Sequence, residues 1–116
     1  MKEKNIENDL YSNFKDFLNS ANDELKKERY NPAVSNYFKA IAILCDWKIY
    51  KERRLIPKNH SERFLFLQTH FSEAYDLISP LFKEYRESYN IRMELKDVLK
   101  LKENVEKLKR LFEVEE

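Results

Sequence analysis

The chain of 116 residues contains no glycine. Average usage would place about eight glycines in a chain of this length, so their absence constrains the fold strongly. Glycine is the preferred residue of the tight turns that join hairpin strands, and the Walker and dinucleotide-binding loops require it to cradle phosphates. A hairpin-rich β fold is therefore disfavoured, and both kinds of Gly-rich phosphate loop are excluded. Any nucleotide or RNA binding must come from side chains and helix ends.

Apolar residues recur at three- and four-residue steps along almost the whole sequence, which is typical of amphipathic helices. Asn31 before Pro32 predicts the N-cap of one helix, and Asn59, three residues before Glu62, predicts the N-cap of another. The pattern predicts an all-α fold with one domain over residues 1–116, a compact antiparallel bundle of four to five helices. The expected helices are about 5–28, about 32–54, one from His60 with a short continuation from Ser72 through Ile78, about 80–90, and about 94–113.

Charge and cysteine content indicate a reduced, cytoplasmic protein. The net charge of +1 gives no global attraction to nucleic acid or to an anionic membrane. The single cysteine, Cys45, lies in an apolar run and is expected to be a core residue without a disulfide. Met1–Asn5 leads into a mixed polar helix rather than a signal sequence, and the apolar runs are much shorter than the roughly 20 residues that span a membrane.

A basic segment at the end of the second expected helix is the first candidate site. Arg54 precedes His60 by six residues, and an imidazole near a cation can act as acid or base in RNA cleavage while the arginine holds a phosphate. Arg53 and Lys58 are candidate binding residues in the same segment. The alternative is structural, because arginines at a helix C-terminus and a histidine at the next N-terminus are common on surfaces.

A second candidate site lies in the segment Tyr85–Arg92. Arg86 and Tyr89 are three residues apart and share a helical face, so we expect them, with Arg92, to line a groove that binds a ligand. The alternative is a buried hydrogen bond from Arg86 to a carboxylate, with Tyr89 packed beside it. No histidines and acids have a metal-ligand spacing, so we expect no metal and no cofactor.

These segments resemble the HEPN superfamily (higher eukaryotes and prokaryotes nucleotide-binding), particularly its small stand-alone prokaryotic members. The family pattern runs Ala-x-x-x-x-Tyr-x-x-Ala on a central helix, then a Pro-Lys-x-His turn, then Arg-x-x-Ala-Asp-Tyr on a later helix. Here the similar segments are Tyr30–Ala40, Leu55–His60 and Tyr85–Tyr89. The resemblance covers about residues 5–113.

The resemblance implies a helical bundle, frequently a homodimer, that binds nucleotides or RNA and often partners a minimal nucleotidyltransferase in a toxin–antitoxin pair. Active HEPN ribonucleases carry Arg-x(4–6)-His on the helix that matches Arg86, whereas here Tyr89 and Asn90 follow and no histidine does. Arg54 and His60 have the required spacing, but in the turn between helices. Three hypotheses remain open: a binding module, a metal-independent ribonuclease using an Arg/His pair, and a helical adaptor without a ligand.

Overall fold

In the computed structural model, which describes residues 5–114, every element is an α-helix. The predicted all-α bundle is confirmed. Residues 1–4 and 115–116 lie outside the described residues. Both stretches belong to the predicted domain, and residues 1–4 also belong to the expected N-terminal segment. The helices are α1 (Ile6–Lys26), α2 (Tyr30–Arg53), α3 (His60–His70), α4 (Ser72–Ile78), α5 (Leu81–Glu87) and α6 (Leu95–Leu111).

Helix α2 is the centre of the bundle, because it is apolar around most of its circumference and the other helices cover it. Half of its residues are buried, and they join buried residues from the other five helices in one core. Helix α1 runs antiparallel to α2, with Tyr11 on Trp47 near one end and Asn22 bonded to Tyr37 nearer the other.

The remaining long helices run in the same direction as α2, so among the long helices the predicted antiparallel arrangement holds only between α1 and α2. Near the start of α3, Arg63 contacts Asp46 of α2. At the end of α3, His70 contacts Arg53, which lies further along α2. Met93, just before α6, bonds to Asn31 at the start of α2. Phe112, just after α6, lies beside Lys48 in the second half of α2. The six-residue connection from α2 to α3 folds back along the bundle, which places His60 close to Phe38 in the first half of α2.

The two asparagines expected to cap helices have different roles. Asn59 is the N-cap of α3, as predicted, and its side chain accepts a hydrogen bond from the Glu62 backbone N–H at 2.8 Å. The prediction for Asn31 is wrong, because α2 begins one residue earlier, at Tyr30.

The Asn31 side chain instead joins the start of α2 to the connection between α5 and α6. It donates to the carbonyl oxygens of Ser88 (2.8 Å) and Ile91 (2.7 Å), and it accepts from the Met93 N–H (2.9 Å). These three tertiary hydrogen bonds satisfy backbone groups that no helix pairs, and they replace the local cap.

Three helix ends use charged residues where other proteins favour glycine. Glu28, Arg54 and Glu113 have φ values of 59°, 56° and 56°, the left-handed region that commonly ends helices. A residue with a Cβ atom pays about 1 kcal/mol there. Lack of glycine therefore does not prevent these helix ends, although it makes them less favourable.

A break at Phe71 divides the third predicted helix from its continuation. The Phe71 backbone has φ −137° and ψ 62°, outside the helical region, so α3 and α4 are separate. Within residues 5–114, no helix combines the length and apolar character that crossing a lipid bilayer requires.

Candidate ligand-binding surface around His60

A buried ion pair joins α2 to α3 and supports the candidate site. Asp46 lies in the most apolar part of α2 and is 6% exposed. The Arg63 guanidinium donates from Nε to one carboxylate oxygen at 2.7 Å and from Nη2 to the other at 2.9 Å. This bidentate geometry is the strongest pairing available to a buried carboxylate. Burial raises the pKa of the Asp46 carboxyl, and the hydrogen bonds from Arg63 oppose that rise.

The same arginine fixes the protonation state of His60. Arg63 Nη1 lies 2.7 Å from His60 Nδ1, and a guanidinium can only donate. Nδ1 must therefore be the acceptor, so the proton of the neutral imidazole is on Nε2. Burial and the charge of Arg63 lower the pKa of His60, while Asp46 acts in the opposite direction. Among the described residues Nε2 has no hydrogen-bond partner, and His60 as a whole is half-buried, so the Nε2–H is a donor without a partner.

Aromatic side chains from α5 surround His60. Its ring centroid is 5.0 Å from that of Phe82 and 5.7 Å from that of Tyr85. Tyr85 shares a hydrogen bond of 2.9 Å with the hydroxyl of Tyr89, whose residue is 65% exposed. The Arg86 guanidinium lies over the Phe82 ring, 5.7 Å from its centroid. We call these five residues the His60 surface.

The phenol of Tyr85 stays protonated under ordinary conditions. Burial and the hydrogen bond with Tyr89 raise the pKa of Tyr85 to about 12. The His60 surface therefore offers three donors: an imidazole N–H, one guanidinium, and the one phenol O–H that is not used in the bond between Tyr85 and Tyr89.

The structure places three of the predicted site residues around two shared aromatic rings: Phe82 lies between His60 and Arg86, and Tyr85 lies between His60 and Tyr89. It does not bring Arg54 to His60. Arg54 lies in the left-handed turn after α2, stacks on Tyr50 with its guanidinium carbon 5.3 Å from the ring centroid, and reaches Glu7 of α1 at 3.9 Å.

The other predicted binding residues lie elsewhere. Arg53 Nη2 is 3.4 Å from His70 Nδ1 at the far end of α3. Lys58 and Arg92 are exposed on the connections before α3 and before α6. Arg86 is exposed rather than bonded to a buried carboxylate; that structural role belongs to Arg63.

Asp46 and Arg63 are the residues that sequence reasoning missed. Asp46 is the only charged residue between Ala40 and Trp47, and a lone charge in so apolar a segment signals a buried partner. Arg63 follows His60 by three residues, which places both on one face of α3. Neither signal says that the two helices meet here.

Cysteine and metal chemistry find no support in the described part of the chain. Cys45 is buried in the core, as predicted, and burial raises the pKa of its thiol, which keeps it protonated and unreactive. Among residues 5–114, no three His, Cys, Asp or Glu side chains are grouped so that they could share a metal ion.

Comparisons with protein-family models, with curated proteins and with solved structures found no match for this chain. The helical fold and the geometry of the His60 surface are therefore the observations from which a function has to be argued.

Proposed function

We propose that the chain is a HEPN-like module that binds a nucleotide or single-stranded RNA at the His60 surface. The observation that carries the proposal is the fixed, neutral state of His60. Its Nε2–H has no partner among the described residues, and the two aromatic rings next to it, Tyr85 and Phe82, carry an exposed tyrosine and an exposed arginine.

Each part of a nucleotide has a suitable partner on this surface. The ring of Tyr89 is available for a base to stack on, which is the sequence-tolerant contact of single-strand binding proteins. The Arg86 guanidinium pairs with phosphate oxygens. The Nε2–H of His60 donates to a phosphate oxygen or to an acceptor on the base. No Gly-rich loop takes part, in keeping with the composition.

The same geometry favours binding over cleavage of RNA. A general base must present an unprotonated nitrogen to the substrate, but the unprotonated nitrogen of His60 faces Arg63. Arg54, the arginine whose spacing to His60 suggested cleavage, lies against α1.

The wider assignment is part of the proposal. It comprises membership of the HEPN superfamily, a cytoplasmic location, a homodimeric state, and association with a minimal nucleotidyltransferase in a toxin–antitoxin-type pair. It rests on the likeness of Tyr30–Ala40, Leu55–His60 and Tyr85–Tyr89 to the family pattern and on the helical fold. Co-purification from the native host tests the partner: a nucleotidyltransferase should accompany the protein, and recovery of only a free homodimer counts against it.

Fluorescence anisotropy with a labelled single-stranded RNA of about ten nucleotides, long enough for a typical single-strand site, tests the binding site. We expect Tyr89→Ala to weaken binding about 5- to 150-fold, since a base stacked on an aromatic ring contributes about 1–3 kcal/mol. Arg86→Gln should also weaken it and reduce its salt dependence. Lys83→Gln is the matched control, because Lys83 is an exposed cation on the same helix. Equal effects of Arg86→Gln and Lys83→Gln would mean that only non-specific charge attracts RNA.

The same protein samples distinguish the two other hypotheses. RNA cleavage that survives a chelator and disappears in His60→Ala would establish the metal-independent ribonuclease instead. If neither RNA nor any nucleotide binds, and Arg86→Gln changes stability alone, the chain is a structural adaptor.

A further inference from the structure

A second site is suggested by a cavity of about 260 Å³ between the C-terminal half of α2, the junction of α3 and α4, and the end of α6. It lies beside His70, the last residue of α3, whereas His60 is the first. At 1.5 Å per helical residue, the two sites are about 15 Å apart. The cavity is therefore distinct from the His60 surface.

Two phenylalanines form the apolar part of this cavity. Phe71, placed there by the break between α3 and α4, meets Phe112 edge to face, with ring centroids 6.2 Å apart and an angle of 74° between the rings. A third aromatic ring can add to such a pair in the same favourable geometries. The cavity is near the small end of the range for ligand pockets, which suits a ligand of one ring and a short polar group.

Lys48 gives the cavity its positive charge. Its ammonium lies 3.2 Å from Glu52 and 5.8 Å from the centroid of the Phe112 ring, and its side chain is only 21% exposed. Among residues 5–114, Lys48 is the only lysine or arginine in the wall. Glu73 is also in the wall, but it is an exposed residue, so water screens its charge.

His70 supplies a second donor by the same device as His60. The guanidinium of Arg53 lies 3.4 Å from His70 Nδ1, and because arginine can only donate, Nδ1 accepts and Nε2 carries the N–H. Lys48 and Arg53, both near the end of α2, therefore act around the same cavity, Lys48 in its wall and Arg53 on His70.

We propose that this cavity binds a small aromatic monocarboxylate. The carboxylate lies between Lys48 and the Nε2–H of His70, and the ring lies against Phe71 and Phe112. A monocarboxylate carries one negative charge and pairs with one lysine, in competition with Glu52, whereas a phosphate dianion would lack a second cation. Two donors fit the two oxygens of a carboxylate.

A titration of the isotope-labelled protein with hydrocinnamate, followed by amide NMR shifts, tests the proposal. We expect saturable shifts at residues 70–74 and at Phe112. Hydrocinnamamide, which has the same ring and no charge, should bind about tenfold more weakly, a difference of 1.4 kcal/mol. Lys48→Met should weaken hydrocinnamate binding about tenfold, while Lys83→Met, the control on α5, should leave it unchanged.

Three results would overturn the proposal: no saturable shift, shifts confined to other residues, or equal binding of the acid and the amide. If Lys48→Met does not fold, the comparison of acid and amide on the unmodified protein decides the question. Both ligands are tested without RNA, so failure here leaves the His60 surface unaffected, and failure of RNA binding leaves this cavity unaffected.

Discussion

Replacing Arg63 by methionine should destabilise the protein by about 3–5 kcal/mol, the usual effect of removing one partner from a buried ion pair. Asp46 is 6% exposed and would keep its carboxylate in the core without either of the two hydrogen bonds from Arg63. Domains typically have about 5–15 kcal/mol of stability, so this single change removes a large share.

Urea unfolding, followed by Trp47 fluorescence, measures this effect. Trp47 is the only tryptophan, is 9% exposed and follows Asp46 directly. The double variant Asp46→Leu/Arg63→Met should recover most of the loss, because apolar residues of similar volume often replace a buried ion pair at little cost.

The pH dependence of Arg63→Met gives an independent check. The unpaired, buried Asp46 would have a folded-state pKa raised above its unfolded value, so the protonated form would favour folding. Part of the lost stability should therefore return as the pH falls towards the unfolded carboxyl pKa of about 4. A loss below about 1 kcal/mol, typical of exposed pairs, or a double variant no more stable than the single one, would refute the reasoning.

Further predictions concern His60, Asn31 and Asn59. Because burial and Arg63 lower the pKa of His60, the unfolded chain takes up the proton first. The free energy of unfolding should therefore fall as the pH drops below about 6.5 and level off below the folded-state pKa; urea midpoints from pH 7 to pH 5 should decline less in His60→Gln. Asn31→Ala should lower the free energy of unfolding by about 2–3 kcal/mol, since it leaves three backbone groups unpaired. Thermal unfolding measures this, and a loss of stability smaller than that of Asn59→Ala would contradict the prediction. Asn59→Ala removes one helix cap and should cost about 1 kcal/mol.

Features set by neighbouring residues were predictable from the sequence. The helical periodicity gave the all-α bundle, and the cap at Asn59 depends only on Glu62, three residues away. Asn31 shows the limit of this reasoning, since it has the same local signal but bonds to residues about 60 positions away. Three-dimensional partners decided its role.

The candidate site was predictable only in part, for the same reason. His60, Arg86 and Tyr89 were found from the sequence because their residue types and spacing are suggestive. Asp46 and Arg63, which fix the state of His60, meet only because α3 folds back alongside α2. The spacing of Arg54 and His60 in the sequence suggested that the two side chains act together. In the structure Arg54 contacts Glu7 of α1, and the connection to α3 carries His60 away from it.

The state of the His60 imidazole is the point on which the account depends most directly, and nitrogen NMR of the ring measures it. With only two histidines in the chain, the signals can be assigned from His60→Gln alone. At neutral pH we expect a neutral ring with the proton on Nε2, and a shift of that N–H when single-stranded RNA or a nucleotide is added. An imidazolium, a proton on Nδ1, or an Nε2–H that no nucleotide or RNA disturbs would contradict the account.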